Sequence, residues 1–140
     1  MNLSLSHCFV TVDDQEKTLA FYRDVLGLEV RNDVDMTDWG MPWRWLTVGA
    51  PGQPAIEIGL DTIASKAPAD QPALRELMAK GALSALIFDT DDCDAAFEQV
   101  RASGAEVLQE PIDQPYGVRD CAFRDPSGNM VRFSQRRDPE

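Results

Sequence analysis

The side chains best able to do chemistry are one imidazole and one carboxylate on short apolar stretches. His7 is the only histidine, so any imidazole chemistry must use it; its alternative role is that of a hydrogen-bonded wall residue. Glu57 lies between Ile56 and Ile58, and a carboxylate facing a solvent-poor cleft needs a partner. Without a second histidine, a Ser or Cys triad is difficult to build, and no glycine-rich phosphate loop is present. These residues predict a pocket rather than a ready-made mechanism.

An internal repeat indicates how such a pocket is built. An alternating apolar run ending in acids occurs at Val10–Asp14 and again at Ile87–Asp92, and an amphipathic segment follows each run. Asp13 and Asp91 are 78 residues apart, as are Leu19 and Phe97. Each half therefore reads as a strand, an acidic turn, a helix and a new strand. Two copies of one curved unit can pair to form a cleft.

The predicted element order in each half is βαβββ, in one α+β domain that spans residues 1–140. Unit one (1–60) has strands at 4–12, 28–32, 43–48 and 54–60, with a helix at 16–26. Unit two (83–137) has strands at 83–89, 106–109, 118–124 and 130–135, with a helix at 93–103. The connector (61–82) contains a short helix with Pro72 in its first turn and Gly81 at its end. We expect the tail, 136–140, to be loose.

Composition excludes several classes of function. The net charge of −11 argues against nucleic-acid binding, which needs a cationic face. No apolar stretch is long enough to span a membrane. The three cysteines are an odd number without metal-type spacing, which favours reduced thiols and a cytoplasmic protein.

Two motifs in this order resemble the vicinal oxygen chelate superfamily. They are Phe21-Tyr22-Arg23-Asp24-Val25-Leu26-Gly27-Leu28 after the first acidic turn and Asp125-Pro126-Ser127-Gly128-Asn129 before the last strand. This group includes glyoxalase I-like lyases, extradiol dioxygenases and bleomycin-resistance binding proteins. The resemblance implies two βαβββ units whose sheets form a curved partial barrel. It also implies a homodimer with clefts built across subunits, a monomer being the alternative.

In metal-using members of that group, each unit supplies a first-strand histidine and a last-strand glutamate. His7 and Glu57 match these positions in unit one, whereas the matching positions in unit two hold Ala85 and Arg132. Alanine has no donor atom and arginine cannot ligate a metal. The resemblance therefore predicts no cofactor, with Glu57 facing Arg132; the alternative is a weakly held Ni, Zn, Fe or Mn ion on His7 and Glu57.

Three hypotheses for function follow. The first is a binding protein of the bleomycin-resistance type that holds an amphipathic or cationic small molecule between aromatic walls. The second is a metal-dependent lyase, isomerase or dioxygenase, with Glu57 as its candidate catalytic residue. The third is a protein with a decayed pocket that serves interaction alone. Arg119, near a loop that resembles a cavity border, either meets an acidic ligand or pairs with surface acids. The expected ligand-site residues are His7, Phe9, Trp43, Trp45, Glu57, Arg119 and Arg132.

Overall fold

The computed structural model describes residues 1–138 and contains the two predicted βαβββ units. Each unit forms one four-stranded mixed sheet, and the sheets are open at their edges rather than closed into a barrel. The fold class is therefore α+β, as the repeat predicts. Of the tail that we expect to be loose, 136–140, residues 139 and 140 lie outside the described residues.

Sheet one has the strand order β1-β4-β3-β2. The strands are β1 (His7–Val12), β2 (Glu29–Asp35), β3 (Arg44–Gly49) and β4 (Glu57–Thr62). Strand β1 begins three residues later than predicted, because β4, its parallel partner, begins opposite His7 and leaves residues 1–6 exposed. Strand β2 continues three residues beyond its predicted end, because it pairs with β3 as far as Asp35.

Helix α1 (Gln15–Ala20) starts where the side chain of Asp14 accepts a hydrogen bond from the backbone N–H of Lys17. That bond satisfies a donor that no carbonyl within the helix can reach. A π-helical turn, Phe21–Val25, continues α1 and buries Phe21 and Tyr22. The wider turn allows both aromatic rings to enter the core, which one regular α-helix over residues 16–26 would not predict.

Sheet two repeats the pattern with the order β5-β8-β7-β6. Its elements are β5 (Ala85–Asp89), α3 (Cys93–Ala102), β6 (Val107–Asp113), β7 (Val118–Arg124) and β8 (Met130–Arg136). Strand β6 is longer than predicted, and it passes Pro111 because two register shifts interrupt its pairing with β7. Helix α2 (Gln71–Ala79) lies in the connector with Pro72 in its first turn.

The two units share one hydrophobic core, which draws residues from both sheets and from α1 and α3. A buried polar network crosses the junction at the turn before β8. The hydroxyl of Tyr22 donates to Asp125 at 2.7 Å, and Asn129 donates to the carbonyl of Thr11 at 2.9 Å. Burial and the neighbouring Asp125 carboxylate raise the pKa of Tyr22 well above its ordinary value. This turn therefore joins the units.

Among the described residues, no helix has the length and apolar character needed to cross a membrane.

Candidate functional site

One face of sheet one carries the side chains on which function depends. Because side chains alternate along a strand, residues two apart share a face. The opposite face is buried in the core. The functional face carries His7 and Phe9 on β1, Glu57, Gly59 and Asp61 on β4, Trp45 and Thr47 on β3, and Asn32 on β2.

Glu57 is held by neighbours from all three other strands of its sheet. Its Oε1 accepts hydrogen bonds from Thr47 and Asn32, both at 2.6 Å, and its Oε2 lies 3.5 Å from Nε2 of His7. The bond from Thr47 lowers the pKa of Glu57 most; partial burial opposes this, and Asn32, His7 and Arg31 lower it further. Glu57 is thus an ionised carboxylate whose Oε2 faces the imidazole.

Aromatic rings continue the face beyond this polar end. The ring centroid of Trp45 lies 5.8 Å from that of His7 and 5.8 Å from that of Phe9. Phe9 is 52% exposed and Trp43, just before β3, is 39% exposed. These two residues and Trp45 border a pocket of about 260 Å³. The aromatic groups therefore present open stacking surfaces to a ligand.

A second polar group borders this pocket. Nζ of Lys66 lies 2.5 Å from Oδ2 of Asp61, and the hydroxyl of Ser65 donates to Oδ1 at 2.8 Å. All three residues border the pocket. The functional face of sheet one thus has an aromatic centre between two hydrogen-bonding ends.

The corresponding face of sheet two has no counterpart of the His7–Glu57 pair. Ala85 is paired in register with Met130, as His7 is with Glu57, and Arg132 lies two residues further along β8, opposite Ile87. Arg132 donates to Oε1 of Gln109 at 3.0 Å and lies 3.2 Å from Oδ2 of Asp120. This face therefore presents apolar groups and one paired guanidinium.

Asp120 is the partner that decides where Arg132 points. Its carboxylate is 1% exposed and accepts bonds from Gln109 at 2.7 Å and Gln114 at 3.0 Å. Burial alone would raise the pKa of Asp120, but the bonds from Gln114 and Gln109 and the charge of Arg132 together bring it below its ordinary value. Asp120 is therefore charged and fully partnered.

The prediction that Glu57 contacts Arg132 is wrong within one chain. The two residues lie on different sheets, and each has a closer partner on its own sheet, Thr47 for Glu57 and Asp120 for Arg132. A charged group interacts more strongly with a partner within hydrogen-bonding distance than with one on another sheet, because the attraction between charges decreases with distance.

Arg119 is used in surface ion pairs rather than in the pocket. Its guanidinium bonds to Asp94 at 2.9 Å and to Asp113 at 3.1 Å, and both carboxylates raise its pKa. On β7 it is adjacent to Asp120 and so points to the other face of sheet two. Of the two roles predicted for Arg119, the structure supports pairing with surface acids.

Within the described part of one chain, His7 and Glu57 are the candidate metal ligands that lie side by side. Within residues 1–138 no group of three or more His, Cys, Asp and Glu side chains is arranged to hold one. His7 and Glu57 are adjacent, but Oε1 of Glu57 already accepts two hydrogen bonds. A tight site needs more ligands than this pair, and Ala85, Met130 and Arg132 offer no carboxylate or imidazole.

Several residues of the site were missed by sequence reasoning. Asn32 stands in the polar run Arg31-Asn32-Asp33 at the end of the predicted second strand, so no signal singles it out as a neighbour of Glu57. Asp120 follows a positively charged residue in a mostly apolar strand and gives no such signal. Lys66 belongs to the connector, and only the tertiary structure brings it to the pocket of sheet one.

The fold defines a class of protein, namely a pair of βαβββ units that form two open four-stranded sheets. The Glyoxalase/Bleomycin resistance protein/Dioxygenase superfamily matches residues 4–133, and the chain belongs to this superfamily.

Two solved structures show the likeness over nearly the whole chain. The crystal structure of UcmS2 is 34% identical with a TM-score of 0.86, and the match covers 96% of this chain and 98% of that chain. TnmS3, described as an antibiotic binding protein from Streptomyces sp. CB03234, is 30% identical with a TM-score of 0.75, covering 97% and 98%. A probable lactoylglutathione lyase of Vibrio cholerae is 25% identical over 138 residues, covering 97% of this chain and 93% of that protein.

Proposed function

We propose that this protein binds and sequesters an amphipathic small molecule on the open face of sheet one. The observation that carries the proposal is the position of Trp45, whose indole lies against both His7 and Phe9 on a face that solvent reaches. Exposed aromatic rings beside an ionised carboxylate suit a ligand with a flat apolar body and a donor or cationic group. Glu57 supplies that carboxylate.

The comparisons support a binding role over a catalytic one. TnmS3 is described as an antibiotic binding protein, and its similarity to this chain extends over nearly the whole fold. Sheet two pairs Ala85 with Met130 where sheet one pairs His7 with Glu57, and this loss of two possible ligands supports a site that works without a metal. The acidic net charge of −11 attracts cationic compounds at long range.

We propose further that the functional protein is a homodimer in which a second copy covers these faces. Large apolar side chains are exposed on both sheets, at Phe9 (52%), Trp43 (39%), Ile87 (65%) and Ile112 (45%). Apolar groups gathered on an open face favour a covering partner. Each binding cleft would then be built across two subunits.

Light scattering during size-exclusion chromatography tests the dimer. We expect twice the 15.5 kDa mass of one chain, and Ile87→Asp should shift the protein towards monomer. Leu77→Asp, which changes a 40% exposed apolar residue on α2, is the control and should leave the mass unchanged. A wild-type monomer at high concentration would contradict the proposal.

Fluorescence titration tests the binding function. Planar aromatic compounds, both cationic and neutral, are added while tryptophan emission is followed. We expect saturable quenching by at least one class of compound, and we expect it to weaken in Phe9→Ala. If no compound changes the emission of the wild-type protein, the binding proposal is overturned.

A metal-dependent lyase, isomerase or dioxygenase is the second candidate, because Nε2 of His7 lies 3.5 Å from Oε2 of Glu57 and a relative is described as a probable lactoylglutathione lyase. Elemental analysis after purification without chelators distinguishes the two functions. Stoichiometric nickel, zinc, iron or manganese that is lost in His7→Ala would favour the enzyme. Substoichiometric metal, unchanged in His7→Ala, would favour the binding protein.

A further inference from the structure

The functional face of sheet one is arranged along strand β4. Glu57, Gly59 and Asp61 point to the same side of the strand, in that order. Glu57 and Asp61 are four residues apart, which is roughly 13 Å along an extended strand. Between them the ring of Phe9 covers Gly59, its partner in register, and Trp45 lies beside that ring. An aromatic surface therefore connects two polar ends.

The two ends have opposite hydrogen-bonding character. At the first end, Oε1 of Glu57 accepts two hydrogen bonds, and Oε2, which lies 3.5 Å from Nε2 of His7, keeps lone-pair capacity to accept a bond from a ligand. At the second end, Nζ of Lys66 has three N–H donors, and its contact in the chain is with Asp61 at 2.5 Å. The first end therefore selects a donor, and the second selects an acceptor.

Charge limits the kind of acceptor that Lys66 can receive. The Asp61 carboxylate already offsets the charge of this ammonium group, and the whole chain carries −11. A second full anion at this end would be repelled by Asp61. A neutral oxygen, such as that of a ketone, ester or phenol, accepts the same hydrogen bond without repulsion.

We propose that this face binds an elongated, planar aromatic molecule lengthwise along β4, with a hydrogen-bond donor at Glu57 and a neutral oxygen acceptor at Lys66. This inference rests on the proposed binding function and adds the ligand's shape, direction and end groups. Lys66, which lies outside both repeated units, is then a specificity-determining residue.

Three related probes test the two ends separately. The first is 6-acetyl-2-aminonaphthalene, which has both end groups. The second is 2-acetylnaphthalene, which lacks the amine, and the third is 6-ethyl-2-aminonaphthalene, which lacks the ketone. Affinities are measured by probe emission for the wild type, Lys66→Met and Glu57→Gln. Lys80→Met is the matched control, since Lys80 also pairs with an acid, Glu76 at 3.4 Å, but lies on α2.

We expect Lys66→Met to lower the affinity for 6-acetyl-2-aminonaphthalene about fivefold to tenfold, which is the effect of one hydrogen bond. The affinity for 6-ethyl-2-aminonaphthalene, which lacks the ketone, should not change. Glu57→Gln should lower the affinity for both probes that carry an amine and leave the affinity for 2-acetylnaphthalene unchanged. Lys80→Met should change none of the affinities.

Equal effects of Lys66→Met on all three probes, or no effect on any, overturn the assignment of Lys66. The binding function itself stands in that case, because the wild type still binds the probes. Failure of all three probes to bind the wild type overturns the lengthwise site. The wider titration with cationic and neutral compounds then decides the binding function separately.

Discussion

The ring of Phe9 lies directly over the Cα of Gly59, its register partner on the neighbouring parallel strand. A methyl group placed on Gly59 would stand 2.4 Å from Cδ1 of that ring and 2.5 Å from Cε1. Such distances are far below van der Waals contact. Glycine at this position therefore lets the Phe9 ring lie against strand β4.

Gly59→Ala should disturb ligand binding more than stability. The added methyl group forces the half-exposed Phe9 ring towards solvent, which costs about 1 kcal/mol, at the lower end of the range for overpacking. Ligand titration and thermal unfolding measure the two effects. Gly52→Ala is the control, since a methyl group there meets nothing within 4 Å. Unchanged affinity in Gly59→Ala would show that the position of the Phe9 ring does not affect ligand binding.

Trp45 should report ligand binding more strongly than the other tryptophans. It contacts both His7 and Phe9, whereas Trp39 is 65% exposed and lies on a short 3₁₀ segment before β3. We expect Trp45→Phe to remove most of the ligand-induced change in emission and to weaken binding about twofold to tenfold. Trp39→Phe should preserve both. The reverse result would place the ligand elsewhere.

Replacement of Asp120 should reveal a stability contribution that depends on pH. Because its folded-state pKa is lowered, the charged carboxylate stabilises the fold above its unfolded pKa of about 4. This contribution is lost as the pH falls through the lower folded value. Asp120→Asn should therefore cost about 1–3 kcal/mol at pH 7 and progressively less below pH 4.

Urea unfolding at several pH values measures this difference. Asp24→Asn is the control, because Asp24 also pairs with an arginine, Arg23 at 2.8 Å, but its side chain is 60% exposed. Exposed pairs contribute little, so this variant should remain close to the wild type. An Asp120→Asn penalty that is independent of pH would mean that packing, not charge, is responsible.

Tyr22→Phe should weaken the junction between the two units. The lost hydroxyl leaves the buried Asp125 with bonds from Ser127 and Asn129 only, and we expect a loss of about 1–2 kcal/mol. Tyr116→Phe, at a 69% exposed position, is the control and should be neutral. Denaturant unfolding measures both. Equal stability of the two variants would contradict a structural role for the junction network.

Much of the fold could be predicted because the signals for it are local. The repeat spacing, the alternation along strands and the acidic helix caps all depend on residues close together in sequence. Asp14, for example, lies in the acidic turn predicted before the first helix, and its side chain accepts a hydrogen bond from the backbone N–H of Lys17. The boundaries of β1 and β2 were less accurate, because strand ends depend on where the partner strand begins and stops.

The sequence by itself determined the two βαβββ units and their family, and it made His7, Glu57 and the tryptophans candidate site residues. Only the tertiary structure decided the partners of the charged groups. It paired Glu57 with Thr47 and Asn32, paired Arg132 with Asp120, and brought Lys66 from the connector to the aromatic face. The physical reason is that hydrogen bonds and ion pairs act over a few ångströms. Which charges come that close depends on strand register and sheet order, and the spacing of residues along the chain does not encode either.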